Sequence, residues 1–390
     1  MRFSMPEEHL RSPSARRIGL YVHVPFCSVK CHYCNFVITL DRTPPQRERF
    51  LEALRREVLQ AEKQYGRLAF ETVYFGGGTP SQLTEDEFTA AVGFLKKSFI
   101  WDKVREFTVE INPGDVSPEK VQAFVSAGVN RASVGAQAFQ EELLKAMGRP
   151  HGAEQIREAV SLLRAGGIEN ISLDLIFRLP GQTPAIFRES LNQALALAPS
   201  QITLYDLEVH EKTRFGILQN QGRLRLPDEG EHFAMFETAV TALEAAGYRH
   251  YELLSFARPG GESRHNLLYW ENQDYLGLGP GAFRYLNGIR SQFAETVPDY
   301  LRRCEASEWE PAVSDRLSPE DIEWENLLTG LRLDRGVTLA DFTRIGEAVR
   351  PVLKRLSDAG LTEISQGRAA LTFRGRALAE TVFSALIQAR

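Results

Sequence analysis

The chain has 390 residues, 43% hydrophobic and 25% charged, with 46 basic against 51 acidic side chains and a formal net charge of −5. That length implies about two or three domains with ample apolar material for a core, and the near balance of charge argues against nucleic acid as a partner. Four cysteines are too few for a disulfide scaffold, and three of them fall between positions 27 and 34, which points to metal chemistry in a reducing compartment.

In chain order, residues 1–17 are polar and basic, carry Pro6 and Pro13 and lack an apolar stretch, so they are expected to form a flexible leader and not a signal peptide. Nothing later approaches the roughly 18 consecutive apolar residues of a transmembrane helix, and a cytoplasmic protein is expected. Apolar, β-rich runs then alternate with helical patterns. Strands are predicted over 18–26, 72–77, 106–112, 131–137, 170–177 and 201–209, and helices near 46–65, 84–98, 118–127, 153–165 and 184–197. Ser117-Pro118 and Thr183-Pro184 supply helix-start signals. Six strands alternating with helices indicate an α/β fold with a parallel sheet closed or partly closed as a barrel, a flat doubly wound sheet being the runner-up. The pattern changes beyond about residue 228, to a helix over 231–246, a strand over 248–256, a mixed segment to 295 and a charged linker around Glu305–Pro319. In the last seventy residues a helix ending at Gly360 precedes two short strand-like runs joined at Gln366-Gly367, which reads as a winged-helix-like α+β unit. The expected domains are a barrel core over 18–228, a barrel extension over 229–305 and a small C-terminal domain over 306–390.

The chemistry begins directly after the first strand, where Cys27, Cys31 and Cys34 are spaced C-x3-C-x2-C. Three thiolates on one tight loop can each bind one iron of a cubane cluster and leave the fourth iron without a protein ligand. An electron-transfer ferredoxin fills that position with a fourth cysteine. An open iron can instead chelate the amino and carboxylate groups of a methionine moiety. A zinc site completed by His23 or His32, or three unrelated buried thiols, are the plainer alternatives, although zinc sites use paired cysteine sets and no second pair is present. Cys304 stands in a charged, helical context and reads as an ordinary residue.

With these residues in place the chain resembles the radical SAM superfamily, and the matches fall at the C-terminal ends of successive predicted strands, where barrel enzymes build their sites. The resemblance implies a partial (β/α)6 TIM-like barrel carrying a [4Fe-4S] cluster and S-adenosylmethionine (SAM). Gly76-Gly77-Gly78-Thr79-Pro80 is similar to the family's glycine-rich motif, and the implied SAM contacts are Tyr21, Tyr33, Gly77, Gly78, Thr79, Glu110, Gln137, Arg149 and Asp174. Arg149 suits the carboxylate of SAM and Asp174 its ribose hydroxyls. Gly277-Leu278-Gly279-Pro280-Gly281 superficially matches a dinucleotide fingerprint, but it opens no first βαβ unit and contains Pro280; the resemblance puts it near the adenine, with Phe283 as a further contact.

Two groups of the family compete. Coproporphyrinogen dehydrogenase carries a fourth cysteine two residues after the third and a longer segment before the cluster. Here that position is Phe36 and Cys27 comes early. Both departures resemble the heme-chaperone group instead, as does Arg264-His265-Asn266-Leu267-Leu268-Tyr269-Trp270, which is similar to that group's HNxxYW signature. Asn35 stands where an acid is usual, and Arg178 where glycine is common. If 262–270 is helical, His265 and Tyr269 share a face, and a neutral imidazole is the commonest axial ligand of heme iron. From the residues alone His265 reads first as a brace at the junction between barrel and tail, with Tyr269 and Trp270 packed as core. The resemblance makes it the heme-ligand candidate and implies a heme carrier serving an acceptor hemoprotein, such as a respiratory one. The alternatives are a tetrapyrrole-modifying enzyme, and a DNA-binding regulator acting through the C-terminal unit, for which no basic face is evident.

Overall fold

The computed structural model describes residues 17–390. The expected leader therefore lies outside the described residues except for Arg17, which is held by Glu71 at 2.9 Å and by Glu271.

The six apolar runs form six strands, β1 (Ile18–Val24), β2 (Thr72–Gly77), β3 (Glu106–Ile111), β4 (Arg131–Gln137), β5 (Asn170–Phe177) and β6 (Gln201–Asp206). They pair in sequence order and in parallel. Between them run α1 (Pro44–Tyr65), α2 (Glu85–Ser98), α3 (Pro118–Ala127), α4 (Glu141–Ala146), α5 (Ala153–Ala165) and α6 (Pro184–Ala196). The start signals work as predicted: Ser117 accepts the Lys120 amide and Thr183 the Ile186 amide, satisfying donors that the first helical turn leaves open. After β6 come α7 (Arg214–Asn220) and α8 (Glu229–Ala245). The strands are buried on both faces, as a parallel sheet covered by helices requires.

The mixed segment is more regular than its sequence suggests. Where one strand is predicted over 248–256, a hairpin of β7 (Arg249–Glu252) and β8 (Ser255–Ala257) adds antiparallel to β6. After α9 (Arg264–Trp270), β9 (Asp274–Leu278) pairs in parallel with β1 and is a seventh parallel strand. β10 (Phe283–Leu286), β11 (Ile289–Gln292) and β12 (Val313–Arg316) continue the sheet antiparallel from β9. The glycine tract of 277–281 is thus the end of β9 and its turn. A Cβ on Gly279 would meet the His23 carbonyl oxygen at 2.4 Å, so glycine lets this turn close against β1.

The sheet runs β12-β11-β10-β9-β1-β2-β3-β4-β5-β6-β8-β7, so the barrel is partial. It is curved nonetheless. Strands β2 and β6 are four positions apart and would lie about 19 Å apart in a flat sheet, yet one cavity is lined by residues of β2, β3, β4, β5 and β6 together.

The segment 305–319 is not a plain linker. Glu305 belongs to α10 (Val297–Ala306), and β12 follows as the outermost strand beside β11. A second apolar cluster then gathers α11 (Pro319–Gly330), α12 (Gly346–Asp358) and a three-stranded sheet, in the order β13 (Val337–Thr338), β15 (Arg368–Leu371), β14 (Thr362–Ser365), around Trp324, Leu327, Leu353 and Leu386. Cys304 is fully buried in the barrel's own core.

Candidate functional site

The loop after β1 is pinned at both ends. The Cys27 amide donates to Thr39 O at 3.1 Å and the Thr39 amide to Pro25 O at 2.8 Å, closing its base, while the His32 amide reaches Met147 O at 2.8 Å beyond α4. Cys27, Cys31 and Cys34 are free thiols that line one cavity of 330 Å³ at the C-terminal end of the barrel. Burial pushes the Cys27 thiol up to about 11 and raises Cys34 as well. Thiolates there need a local positive charge, which bound iron would supply. Among the described residues no three such side chains converge on a point that would hold a single metal ion. A cubane asks for a different arrangement, one thiolate on each of three separate corners, and three cysteines on one loop around one cavity fit it.

Opposite the thiols stands the glycine tract. Gly77 has φ +109, and a Cβ there would fall 2.4 Å from the His23 ring; one on Gly78 would fall 2.7 Å from the Pro25 carbonyl carbon. Only glycine lets this backbone lie against the cluster loop. Glu110 fixes it, accepting the Gly77 amide at 3.0 Å and the Tyr74 hydroxyl at 2.8 Å. Burial outweighs those two hydrogen bonds and lifts the Glu110 carboxyl to about 7.

Arg149 is almost wholly enclosed. Its Nη1 donates to Cys31 Sγ at 3.5 Å, and its Nη2 donates to Asn112 Oδ1 at 2.8 Å and Gly135 O at 3.0 Å. Its Nε has no partner among the described residues. Gln137 sits at an irregularity of the β4–β5 pairing with φ +67, and its buried Oε1 is likewise unpartnered among the described residues. A strained backbone and an unpaired buried acceptor at one residue make Gln137 a candidate for ligand contact. Asp174 accepts both the Ser133 and Ser172 hydroxyls, and burial raises it to about 6. Thr79 Oγ1 lies 3.5 Å from Cys27 Sγ, and Tyr33 is in the same wall.

The cavity therefore gathers the three cysteines with Tyr33, Gly77, Gly78, Thr79, Glu110, Gln137, Arg149 and Asp174. It also takes in Asn112, Ser133, Asp206 and His210, which the sequence reading passed over. For Asn112, Asp206 and His210 the one signal was position, at or beyond a strand end, whereas Ser133 lies within β4 and gave none. Arg178, standing where glycine is common, has φ +65, so the left-handed turn is kept at some strain, with its guanidinium 3.4 Å from Asp206.

Tyr21 and Phe283 are not in this cavity. They line an adjoining one of 610 Å³, which shares Asn35 and Phe36 of the cluster loop with the first and is walled by Tyr269, Trp270 and Tyr275. His265 faces neither cavity. It lies at the opposite end of the barrel from the thiols: α9 is capped by Glu106 at the start of β3, which accepts the amides of Arg264 and His265, each at 2.9 Å. The imidazole is 1% exposed and stacked on Tyr74, with Nδ1 paired to Thr72 Oγ1 at 2.7 Å and Nε2 to the Tyr269 hydroxyl at 2.9 Å. Burial lowers its pKa to about 3, so it is neutral. His265 and Tyr269 share a helix face as expected, with Tyr269 and Trp270 meeting the cavity and His265 standing behind them, where it braces α9 against β2.

The sequence profile of the radical SAM superfamily matches residues 21–194, and that of the HemN C-terminal domain matches 317–378. The heme chaperone HemW of Bacillus subtilis is 36% identical over 94% of this chain and 98% of its own length. That of Lactococcus lactis is 38% identical over 83% of each. Among solved structures, the radical SAM enzyme coproporphyrinogen III oxidase of Escherichia coli superposes with a TM-score of 0.82, covering 95% of this chain and 90% of that one at 20% identity, a likeness of fold.

Proposed function

Because the chain belongs to the heme chaperone HemW family within the radical SAM superfamily, we propose that it binds heme as cargo and passes it to an acceptor hemoprotein. The observation that carries the reading is the aromatic cavity of 610 Å³ that abuts the cluster loop and has Tyr269 and Trp270 of the HNxxYW segment in its wall. A porphyrin is a flat apolar ring system, and aromatic side chains pack well against its faces.

The superfamily implies a [4Fe-4S] cluster and SAM, and the first cavity suits them. Cys27, Cys31 and Cys34 would hold the cluster, which when bound supplies an electron to the SAM sulfonium. Arg149 would receive the carboxylate of SAM, Asp174 its ribose hydroxyls and Gln137 a polar donor, while Glu110 keeps the glycine backbone in place. Tyr21 and Phe283 would meet SAM only where the two cavities join, at Asn35 and Phe36. Phe36, 67% exposed, stands at that junction where a fourth cysteine is found in coproporphyrinogen dehydrogenase.

His265 is proposed as the heme ligand behind a gate. Its neutral imidazole is the right species for iron, and Nε2 lies one hydrogen bond behind the cavity wall, reached when the Tyr269 phenol swings aside. The region 18–228 would form the barrel core and 229–305 its extension, with the small C-terminal unit beginning after β12. Among the described residues no helix is long and apolar enough to cross a membrane.

The test is anaerobic cluster reconstitution followed by heme titration, comparing wild type with His265→Ala by absorption. Saturation near one heme per chain, a Soret band altered in the variant and no decarboxylation of coproporphyrinogen III are expected. SAM-dependent turnover of the porphyrinogen without heme binding would replace the carrier by a tetrapyrrole-modifying enzyme.

A further inference from the structure

We propose that Arg290 is the carboxylate anchor of the aromatic cavity, and that Glu325 of the C-terminal unit occupies the anchor until a ligand carboxylate displaces it. This rests on the heme reading and deepens it, since the ligand class is a planar apolar ring bearing carboxylates, as the propionates of heme do.

The walls argue for the ring. Phe36, Tyr269, Trp270, Tyr275 and Phe283 surround the cavity, and Phe283 is 43% exposed there. The Trp270 indole is backed by the Arg332 guanidinium at 4.1 Å, and its buried N–H has no partner among the described residues. The charge argues for the carboxylates. Arg290 is the one lysine or arginine among the described residues lining this cavity, and no aspartate or glutamate lines it. A lone cation in an aromatic wall suits an anion that is otherwise apolar.

In the structure that cation is paired with a carboxylate of the same chain. Nη1 of Arg290 donates to Glu325 Oε1, and Nη2 to Oε2 at 3.0 Å, a two-point fork. Glu325 lies on α11, outside the cavity's own lining. On the same helix Asn326 Oδ1 accepts from Asn272 Nδ2 at 3.0 Å, and Thr329 stands in the wall. One face of α11 thus closes this side of the cavity through a carboxylate with the chemistry of a propionate. Exchanging one carboxylate for the other keeps Arg290 paired, so entry avoids stranding a half-buried charge. Glu325 is released to water, and ligand binding is thereby coupled to the seating of the C-terminal unit.

The experiment uses the full chain with its cluster reconstituted, titrated with heme and, separately, with heme dimethyl ester, whose propionates carry no charge. Wild type, Glu325→Gln and Arg290→Gln are compared by Soret absorption. Freeing the anchor in Glu325→Gln should tighten heme several-fold, and Arg290→Gln should weaken it about tenfold, as loss of one charge-assisted contact implies. Neither change should alter affinity for the diester. Should Arg290→Gln fail to fold, Glu325→Gln alone decides. Wild-type heme binding with both variants unchanged overturns the latch and leaves the carrier reading standing. Wild type that binds neither compound overturns both.

Discussion

The Arg149 guanidinium spans the cluster loop and the barrel, with Nη1 3.5 Å from the Cys31 thiol and Nη2 on Asn112 and the Gly135 carbonyl. It joins the cysteine side of the cavity to the strand ends facing it, and its Nε has no partner among the described residues.

Arg149→Lys keeps the charge and loses the fork. SAM affinity is expected to fall about tenfold or more, in line with the loss of a charge-assisted pair. Iron and sulfide content after reconstitution should stay at the wild-type level, because the thiols are untouched. Isothermal titration of SAM, beside iron analysis, reads the two effects separately. Equal loss of both would make Arg149 a support for the cluster loop alone.

Glu110 gives a pH dependence with a definite sign. Its carboxyl titrates near 7 in the folded chain against 4.5 for the free group, burial being the main cause. Between those values the unfolded chain has already released a proton that the folded chain keeps, so stability falls as pH rises through this window. Asp174, raised to about 6 by burial, adds to the same slope. The apo protein's melting temperature should therefore drop from pH 5 to pH 7.5, and Glu110→Gln should flatten the drop. A variant slope as steep as the wild type's would remove Glu110 from the account.

Gln137 separates strain from binding. Its left-handed backbone costs a non-glycine residue about 1 kcal/mol, and its amide oxygen is unused. Gln137→Gly should hold or raise the melting temperature while weakening SAM several-fold. A lowered melting temperature with unchanged SAM affinity would assign the side chain to the barrel's structure instead.

The parallel barrel was legible because its strands are predominantly apolar, β-rich runs bounded by cap and turn residues, as in 170–177 ahead of Thr183-Pro184. The seventh parallel strand was not. Asp274–Leu278 is short and contains Gly277, and it becomes a strand because β1 offers it a paired edge. The strand Val313–Arg316 is exposed at all four positions, so no alternation of apolar and polar residues could announce it, and its charges read as a linker. The three cysteines were legible from their spacing, whereas Glu110, Gln137, Arg149 and Asp174 were singled out only through the family resemblance. Asp206 and His210 were not singled out, because a polar residue after a strand looks like any loop residue until the barrel curves it inward. The i, i+4 pairing of His265 and Tyr269 followed from helix geometry. Which of the two faces the cavity depends on α9 lying beneath β2 and β3, a tertiary fact that the local sequence does not carry.

That placement yields the last prediction. Tyr269→Phe removes the hydroxyl paired with His265 Nε2 and keeps the ring in the cavity wall. The chain should lose about 1–3 kcal/mol of stability, since a buried ring nitrogen is left without a partner. Heme binding should move the other way, becoming faster and tighter, because the imidazole no longer has to be released from Tyr269 before it reaches iron. With its pKa held near 3, His265 stays neutral across the working range, so the gain should be the same at pH 6 and pH 8. Stopped-flow mixing with heme, read at the Soret band, checks both points. Slower or weaker binding in Tyr269→Phe, together with an unaltered Soret band in His265→Ala, would make the Tyr269 phenol the group that meets heme and His265 only its brace.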